Sequence, residues 1–71
     1  MSAGELEHLI DMANDIARNF SFHPDTEDRI ADHLTRFWAP SMRQQLVEYS
    51  SAGGAGLQPV LQRAVQQLAD A

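Results

Sequence analysis

The spacing of apolar residues along this chain is helical, and proline and glycine interrupt it at intervals. In the first segment, apolar side chains recur every three or four positions, and acidic side chains fill the positions between them. The apolar positions are Leu6, Leu9, Ile10, Ala13, Ile16, Ala17 and Phe20. This spacing predicts an amphipathic first helix, and Ser2 followed by Glu5 fits a capping box at its start.

Prolines delimit the helices that follow. Pro24 predicts a turn over residues 19–25, after which Asp25 is suited to cap a second helix. Pro40 is expected to end that helix near Ala39 or to kink it, and it can itself open a third helix. A structural turn is predicted between the third and fourth helices, formed by Gly53, Gly54, Gly56 and Pro59.

Three further apolar stripes support this division. The second helix would bury Ile30, Ala31, Leu34, Phe37 and Trp38; the third, Met42, Leu46, Val47 and Tyr49; the fourth, Leu57, Val60, Leu61, Ala64, Val65 and Leu68. No segment alternates as a strand would. The sequence therefore predicts an all-α fold, a small bundle or open array of three to four short helices, within a single domain over residues 1–71.

The core of such a fold is thin. Apolar residues make up 44% of the 71 residues, but ten of them are alanine, which leaves 21 larger side chains. At this length apolar burial barely offsets the lost conformational entropy, so a staple, self-association or a partner is expected. Cysteine is absent, which excludes disulfides, iron–sulfur ligation and a cysteine nucleophile.

The charge of −5 argues against nucleic acid as a partner, because phosphate binding requires an excess of cations. The charge is also uneven. Residues 1–32 contain eight acids and two arginines, a balance of −6, whereas residues 33–71 contain two acids and three arginines, a balance of +1. An acidic first half suits solvent or a basic partner.

No apolar run reaches the roughly 18 residues that cross a bilayer, and no signal peptide is visible, so a cytoplasmic protein without membrane contact is expected. Catalytic, cofactor-binding and metal-binding residues are not predicted. His8, His23 and His33 lack the spacing of zinc ligands, and the acids fit helix caps or a solvated face. The glycine-rich link lacks the lysine and the preceding strand of a phosphate loop.

Residues 33–43 differ from the rest of the chain because they combine residue types that are enriched at protein interfaces. Adjacent Phe37 and Trp38 point about 100° apart on a helix, so one ring is expected near the surface while Trp38 could equally complete the core. The predicted partner-binding residues are His33, Arg36, Phe37, Trp38, Pro40, Met42 and Arg43.

This segment, His-Leu-x-Arg-Phe-Trp-x-Pro-x-Met-Arg at 33–43, is followed by Gly-Gly-Ala-Gly-Leu-x-Pro-Val at 53–60. Together with Leu-Ile-x-Met-Ala-Asn-x-Ile at 9–16, it resembles the small delta subunit of cytoplasmic, NAD-dependent, molybdenum-containing formate dehydrogenase. The resemblance implies that this chain is not an enzyme. Other subunits would hold the bis-pterin molybdenum cofactor, the iron–sulfur clusters and FMN, and would bind NAD.

Two roles fit the resemblance. The first is an accessory subunit that docks on the large catalytic subunit through the surface around Arg36, Trp38, Met42 and Arg43, and supports assembly, stability or cofactor maturation. The second is a maturation chaperone that binds the immature large subunit and then leaves. A helix-turn-helix regulator is allowed by the number of helices but disfavoured by the charge.

Overall fold

The computed structural model describes residues 2–70, with side chains from residue 4 onward. Its helices are α1 (Ser2–Asn19), α2 (Thr26–Phe37), α3 (Pro40–Ser51) and α4 (Pro59–Asp70). No strand occurs within this range, and the prediction of an all-α fold is confirmed. The Ser2 capping box lies outside the described side chains. None of the described helices combines the length and apolarity that a membrane crossing requires.

The turn between α1 and α2 is held by Thr26 instead of by Asp25. The Asp25 residue occupies the N-cap position of α2, but its carboxylate makes no capping hydrogen bond. Instead it accepts one from the Arg29 Nε at 2.8 Å, and this bond lowers the pKa of the Asp25 carboxyl. The Thr26 hydroxyl lies within hydrogen-bond distance of the Phe20 and His23 carbonyls and can donate to either. Thr26 thereby fixes the end of α1 against the start of α2.

Helix α2 ends at Phe37, two residues before the predicted position. Trp38 is its C-cap and has extended backbone angles, φ −94° and ψ 141°. Ala39 is extended as well, at φ −63° and ψ 148°, which is the conformation that Pro40 imposes on the residue before it. Pro40 is the first residue of α3, where a missing N–H costs nothing. The chain therefore turns sharply between two consecutive helices.

The link between α3 and α4 is built on glycines with positive φ. Gly53, Gly54 and Gly56 have φ values of 129°, 63° and 86°, and the Gly54 N–H donates to the Tyr49 carbonyl at 3.0 Å. Asn14 of α1 holds this link in place through two side-chain hydrogen bonds. Its side-chain amide donates to the Gly56 carbonyl at 2.9 Å and accepts from the Gln58 N–H at 3.1 Å.

One hydrophobic core lies between the four helices, and every helix contributes to it. Its fully buried large side chains are Ile30, Leu34, Leu46, Leu61 and Val65. The alanines of α1 face inward and let the helices approach closely, since Ala13 and Ala17 have no exposed surface. Trp38 closes the core at the α2–α3 turn.

Candidate interaction surface

Four aromatic rings contact one another in a row across the junction of α1 and α2. The Phe20 ring centroid lies 6.0 Å from that of His23 and 5.9 Å from that of His33, the second pair being edge to face. The His33 centroid lies 4.8 Å from that of Phe37. We refer to Phe20, His23, His33 and Phe37 as the aromatic strip. Aromatic pairs at these distances stabilise one another, so the strip is a pre-formed surface.

The strip is largely open to solvent at one end. Phe37 is 71% exposed although it belongs to the apolar pattern of α2. His23 is exposed, and Phe20 and His33 are half-buried. Beside the strip, Phe22 in the α1–α2 turn is 93% exposed. Phe22 and Phe37 are the large apolar side chains that the described part of the chain leaves uncovered. Their surroundings are therefore the candidate interaction surface.

Trp38 and Met42 lie on the other side of the α2–α3 turn and face inward. Trp38 is 6% exposed and belongs to the core. Met42 is half-buried and packs against that core. Of the two adjacent aromatics, Phe37 faces solvent and Trp38 is buried. The sequence alone leaves this choice open. Trp38 is therefore a core residue in this structure, and its ring offers little surface to a partner.

The two arginines of the segment have different environments. Arg43 is half-buried and reaches back from α3 to the end of α2, where its Nη1 donates to the carbonyls of Leu34, Thr35 and Trp38. The Leu34 carbonyl also accepts from the Trp38 N–H, so the guanidinium chiefly serves the Thr35 and Trp38 carbonyls. Its positive charge suits the negative end of the helix dipole. Arg36 is exposed and donates to the Asp32 carboxylate at 3.0 Å, four residues earlier on the same helix.

A shallow groove of about 480 Å³ uses another face of α2, because Thr35 lies two residues from both His33 and Phe37 and so points away from them. Its walls come from the end of α2, from α3 and from the end of α4: Thr35, Pro40, Arg43, Gln44, Val47, Leu68 and Ala69. Several of its polar groups are bonded within the chain, since Thr35 donates to the Ala31 carbonyl and Gln44 to the Glu48 carboxylate. The predicted partner-binding residues are thus divided between the core, the groove and the strip, except for Arg36, which is exposed and paired with Asp32.

All five arginines are bonded within the chain. Besides Arg43, each pairs with a carboxylate: Arg18 with Asp15, Arg29 with Asp25, Arg36 with Asp32 and Arg63 with Glu27. In contrast, Glu5, Glu7 and Asp11 on α1 form no ion pair among residues 2–70. Within the described residues, α1 therefore carries carboxylates that no cation of the chain neutralises, whereas every arginine already has a partner.

The side chains of the described residues form no cluster that could hold a metal ion. Cysteine thiolates are absent from the sequence, and no group of three or more His, Asp or Glu residues within residues 2–70 is arranged to hold a metal ion. His23 and His33 lie in one aromatic row, where their rings pack against Phe20 and Phe37.

Sequence reasoning found half of the strip and missed the other half. It placed His33 and Phe37 in the predicted interaction segment, but assigned Phe20 to the core face of α1 and His23 to a turn. The missing signal is tertiary: the turn at Pro24 folds the end of α1 back against α2. The unusually aromatic turn, Phe-Ser-Phe-His at 20–23, could have indicated it.

Comparison with known proteins confirms the resemblance. The family model of the NADH-dependent formate dehydrogenase delta subunit, FdsD, matches residues 8–65. That range includes the aromatic strip, the α2–α3 turn and the glycine link. No curated protein and no solved structure matches the chain. Since the family model covers most of the 71 residues, the chain belongs to the family of delta subunits of NADH-dependent formate dehydrogenase.

Proposed function

We propose that this chain is a non-catalytic accessory subunit that docks on the large catalytic subunit of a cytoplasmic formate dehydrogenase. As a member of a delta-subunit family, it works with other subunits. The observation that supports docking most directly is the exposure of Phe37 and Phe22 in a chain whose other large apolar side chains, within residues 4–70, are covered at least in part. A small protein keeps such side chains in water at a cost in solubility, which a partner surface relieves.

The role of the subunit is to support assembly, stability or molybdenum-cofactor maturation of the large subunit. We do not expect this chain to be catalytic, because the described residues do not bring together a nucleophile, a base and a group that orients the base. The bis-pterin molybdenum cofactor, the iron–sulfur clusters and FMN belong to the other subunits in this proposal, as does the binding of NAD. The formate oxidation that they perform would be supported, not carried out, by the delta chain.

The test is to purify the active enzyme through a tag on the large subunit and to measure how much delta chain it retains. An accessory subunit is retained in a fixed ratio to the large subunit through gel filtration. Deleting the delta chain is then expected to lower formate oxidation by the purified enzyme, and adding back the purified chain during assembly to restore it. Undiminished activity and molybdenum content in the deletion strain would contradict the proposal.

The same purification separates the accessory subunit from the transient chaperone. A chaperone is present on the immature large subunit and absent from the active enzyme. If the delta chain is missing from enzyme of full activity while its deletion lowers molybdenum content, the chaperone role replaces the subunit role.

A further inference from the structure

We infer that the groove binds a carboxylate side chain of a partner protein, carried between apolar residues, and that Arg43 holds this carboxylate. The inference rests on the proposed function, since it gives the accessory subunit a second contact besides the one on the large subunit. The partner is a further subunit of the same enzyme.

Arg43 lines the groove, and only one end of its guanidinium is bonded within the chain. Its Nη1 donates to carbonyls at the end of α2, whereas Nε and Nη2 donate to no group among residues 4–70. Nε and Nη2 form the side of a guanidinium that binds both oxygens of a carboxylate. The end of α2 thus orients Arg43 and leaves that side without a partner.

The other four arginines use this side of the guanidinium for a carboxylate of the chain itself, through Nε or Nη2. The pairs are Arg18–Asp15, Arg29–Asp25, Arg36–Asp32 and Arg63–Glu27. Arg43 has no such pair within residues 4–70. Glu48, further along α3, accepts from Gln44 instead, and Asp70 at the end of α4 forms no ion pair in the same range. The charge of Arg43 is therefore complementary to an acid from outside the chain.

The walls of the groove indicate what this acid is attached to. Thr35 and Gln44 already donate within their own helices, so Arg43 is the main polar group on offer. The apolar walls are Pro40, Val47, Leu68 and Ala69. Apolar neighbours of the carboxylate would leave water against these walls.

A protein segment suits the groove better than a free organic acid. One ion pair in a shallow groove offsets little of the translational freedom that a small molecule loses on binding, and the net charge of −5 repels a free anion. A carboxylate on a protein surface brings further contacts around the groove.

The groove and the strip use different faces of α2. Thr35 lies two positions from His33 and from Phe37, so its side chain points away from both. A surface that covers the strip therefore leaves the groove open. This is why we assign the groove to a subunit other than the large one.

The first experiment uses the isolated full-length chain and isovalerate, a carboxylate on a small branched apolar group, with uncharged isovaleramide as the control. In NMR titrations we expect isovalerate to shift the signals of the Arg43 Nε–H and of the Leu68 methyl groups, with a dissociation constant in the millimolar range. The Arg36 Nε–H is the matched control and should not shift, because Asp32 occupies it. No shift at Arg43, an equal shift with isovaleramide, or an equal shift at Arg36 would overturn the carboxylate site.

The second experiment measures how tightly the delta chain is held in the complete enzyme and on the isolated large subunit. Arg43→Lys keeps the positive charge but cannot bind both carboxylate oxygens side by side. We expect it to weaken retention in the complete enzyme about tenfold, while Arg36→Lys has no effect. Both variants should bind the isolated large subunit like the wild type. An equal loss on the isolated large subunit, or no loss in the complete enzyme, would overturn the inference.

The third experiment needs no substitution. Hydroxyl-radical modification of Leu68 should fall several-fold in the complete enzyme and stay unchanged in the pair of delta chain and large subunit. Unchanged modification in the complete enzyme, or protection by the large subunit alone, would overturn the inference and leave the proposed function standing. If the wild-type chain does not bind the large subunit, the proposed function fails, whereas the isovalerate titration still decides whether Arg43 binds a carboxylate.

Discussion

At the scale of single residues, Phe37 and Trp38 are neighbours in sequence with opposite environments. Helix α2 ends between them, and the extended backbone of Trp38 turns its ring into the core. Phe37 remains on the helix and points to solvent beside His33. The sequence predicts that the two rings diverge, but it cannot say which one is buried, because that depends on where Pro40 ends the helix.

Replacing these two residues by alanine should therefore have different effects on folding. Trp38→Ala is expected to lower the free energy of unfolding by about 3–5 kcal/mol, as much as a chain of this length usually has in total. Phe37→Ala is expected to change it by less than about 0.5 kcal/mol, because its ring is mostly exposed. Urea unfolding followed by circular dichroism measures both. Similar midpoints for the two variants would contradict the burial of Trp38.

Arg43 and Arg36 offer a second matched pair. Arg43→Ala removes the side-chain donor from the Thr35 and Trp38 carbonyls, whereas the Leu34 carbonyl keeps the Trp38 N–H. The variant is expected to lower the free energy of unfolding by about 1–2 kcal/mol. Arg36→Ala removes an exposed ion pair on a helix, which typically contributes less than about 0.5 kcal/mol. Thermal unfolding of both variants tests the difference. An equal loss for the two would mean that Arg43 does not cap α2.

At the scale of elements, the α3–α4 link shows what the sequence can and cannot predict. Its glycines and Pro59 place the turn correctly, because positive φ and a first helical turn have strong residue preferences. The sequence does not predict that Asn14 holds this link in place. That side chain lies 42 residues from Gly56, and only the packing of α1 brings the two together.

Glycine substitutions test this element. At Gly54 an added Cβ would lie 2.8 Å from the Gln62 Nε2 and 3.3 Å from the Leu57 Cδ1, and φ is already +63°. Gly54→Ala is expected to cost about 1–3 kcal/mol of stability. Gly4→Ala in α1 meets nothing within 4 Å and is expected to stabilise the fold by about 0.5–1 kcal/mol. The melting temperatures should move in opposite directions; a shift of both in one direction would contradict this account of the link.

At the scale of the whole molecule, the fold follows from the sequence more fully than the surface does. Apolar spacing predicts the four helices, because each stripe is local. The aromatic strip is not local, since it needs the end of α1 to meet the middle of α2. The charge asymmetry can be predicted from the sequence, but the partners of the arginines cannot. Four arginines pair with carboxylates of the chain, and Arg43 bonds to backbone carbonyls.

The most direct test of the central claim is hydroxyl-radical footprinting of the delta chain, free and bound to the large subunit. In the free chain Phe37 should be modified readily and Trp38 poorly, in line with their exposures of 71% and 6%. On binding, the modification of Phe37 should fall several-fold while that of Leu68 in the groove is unchanged. A complex in which Phe37 stays as reactive as in the free chain, with Leu68 protected, would contradict the account.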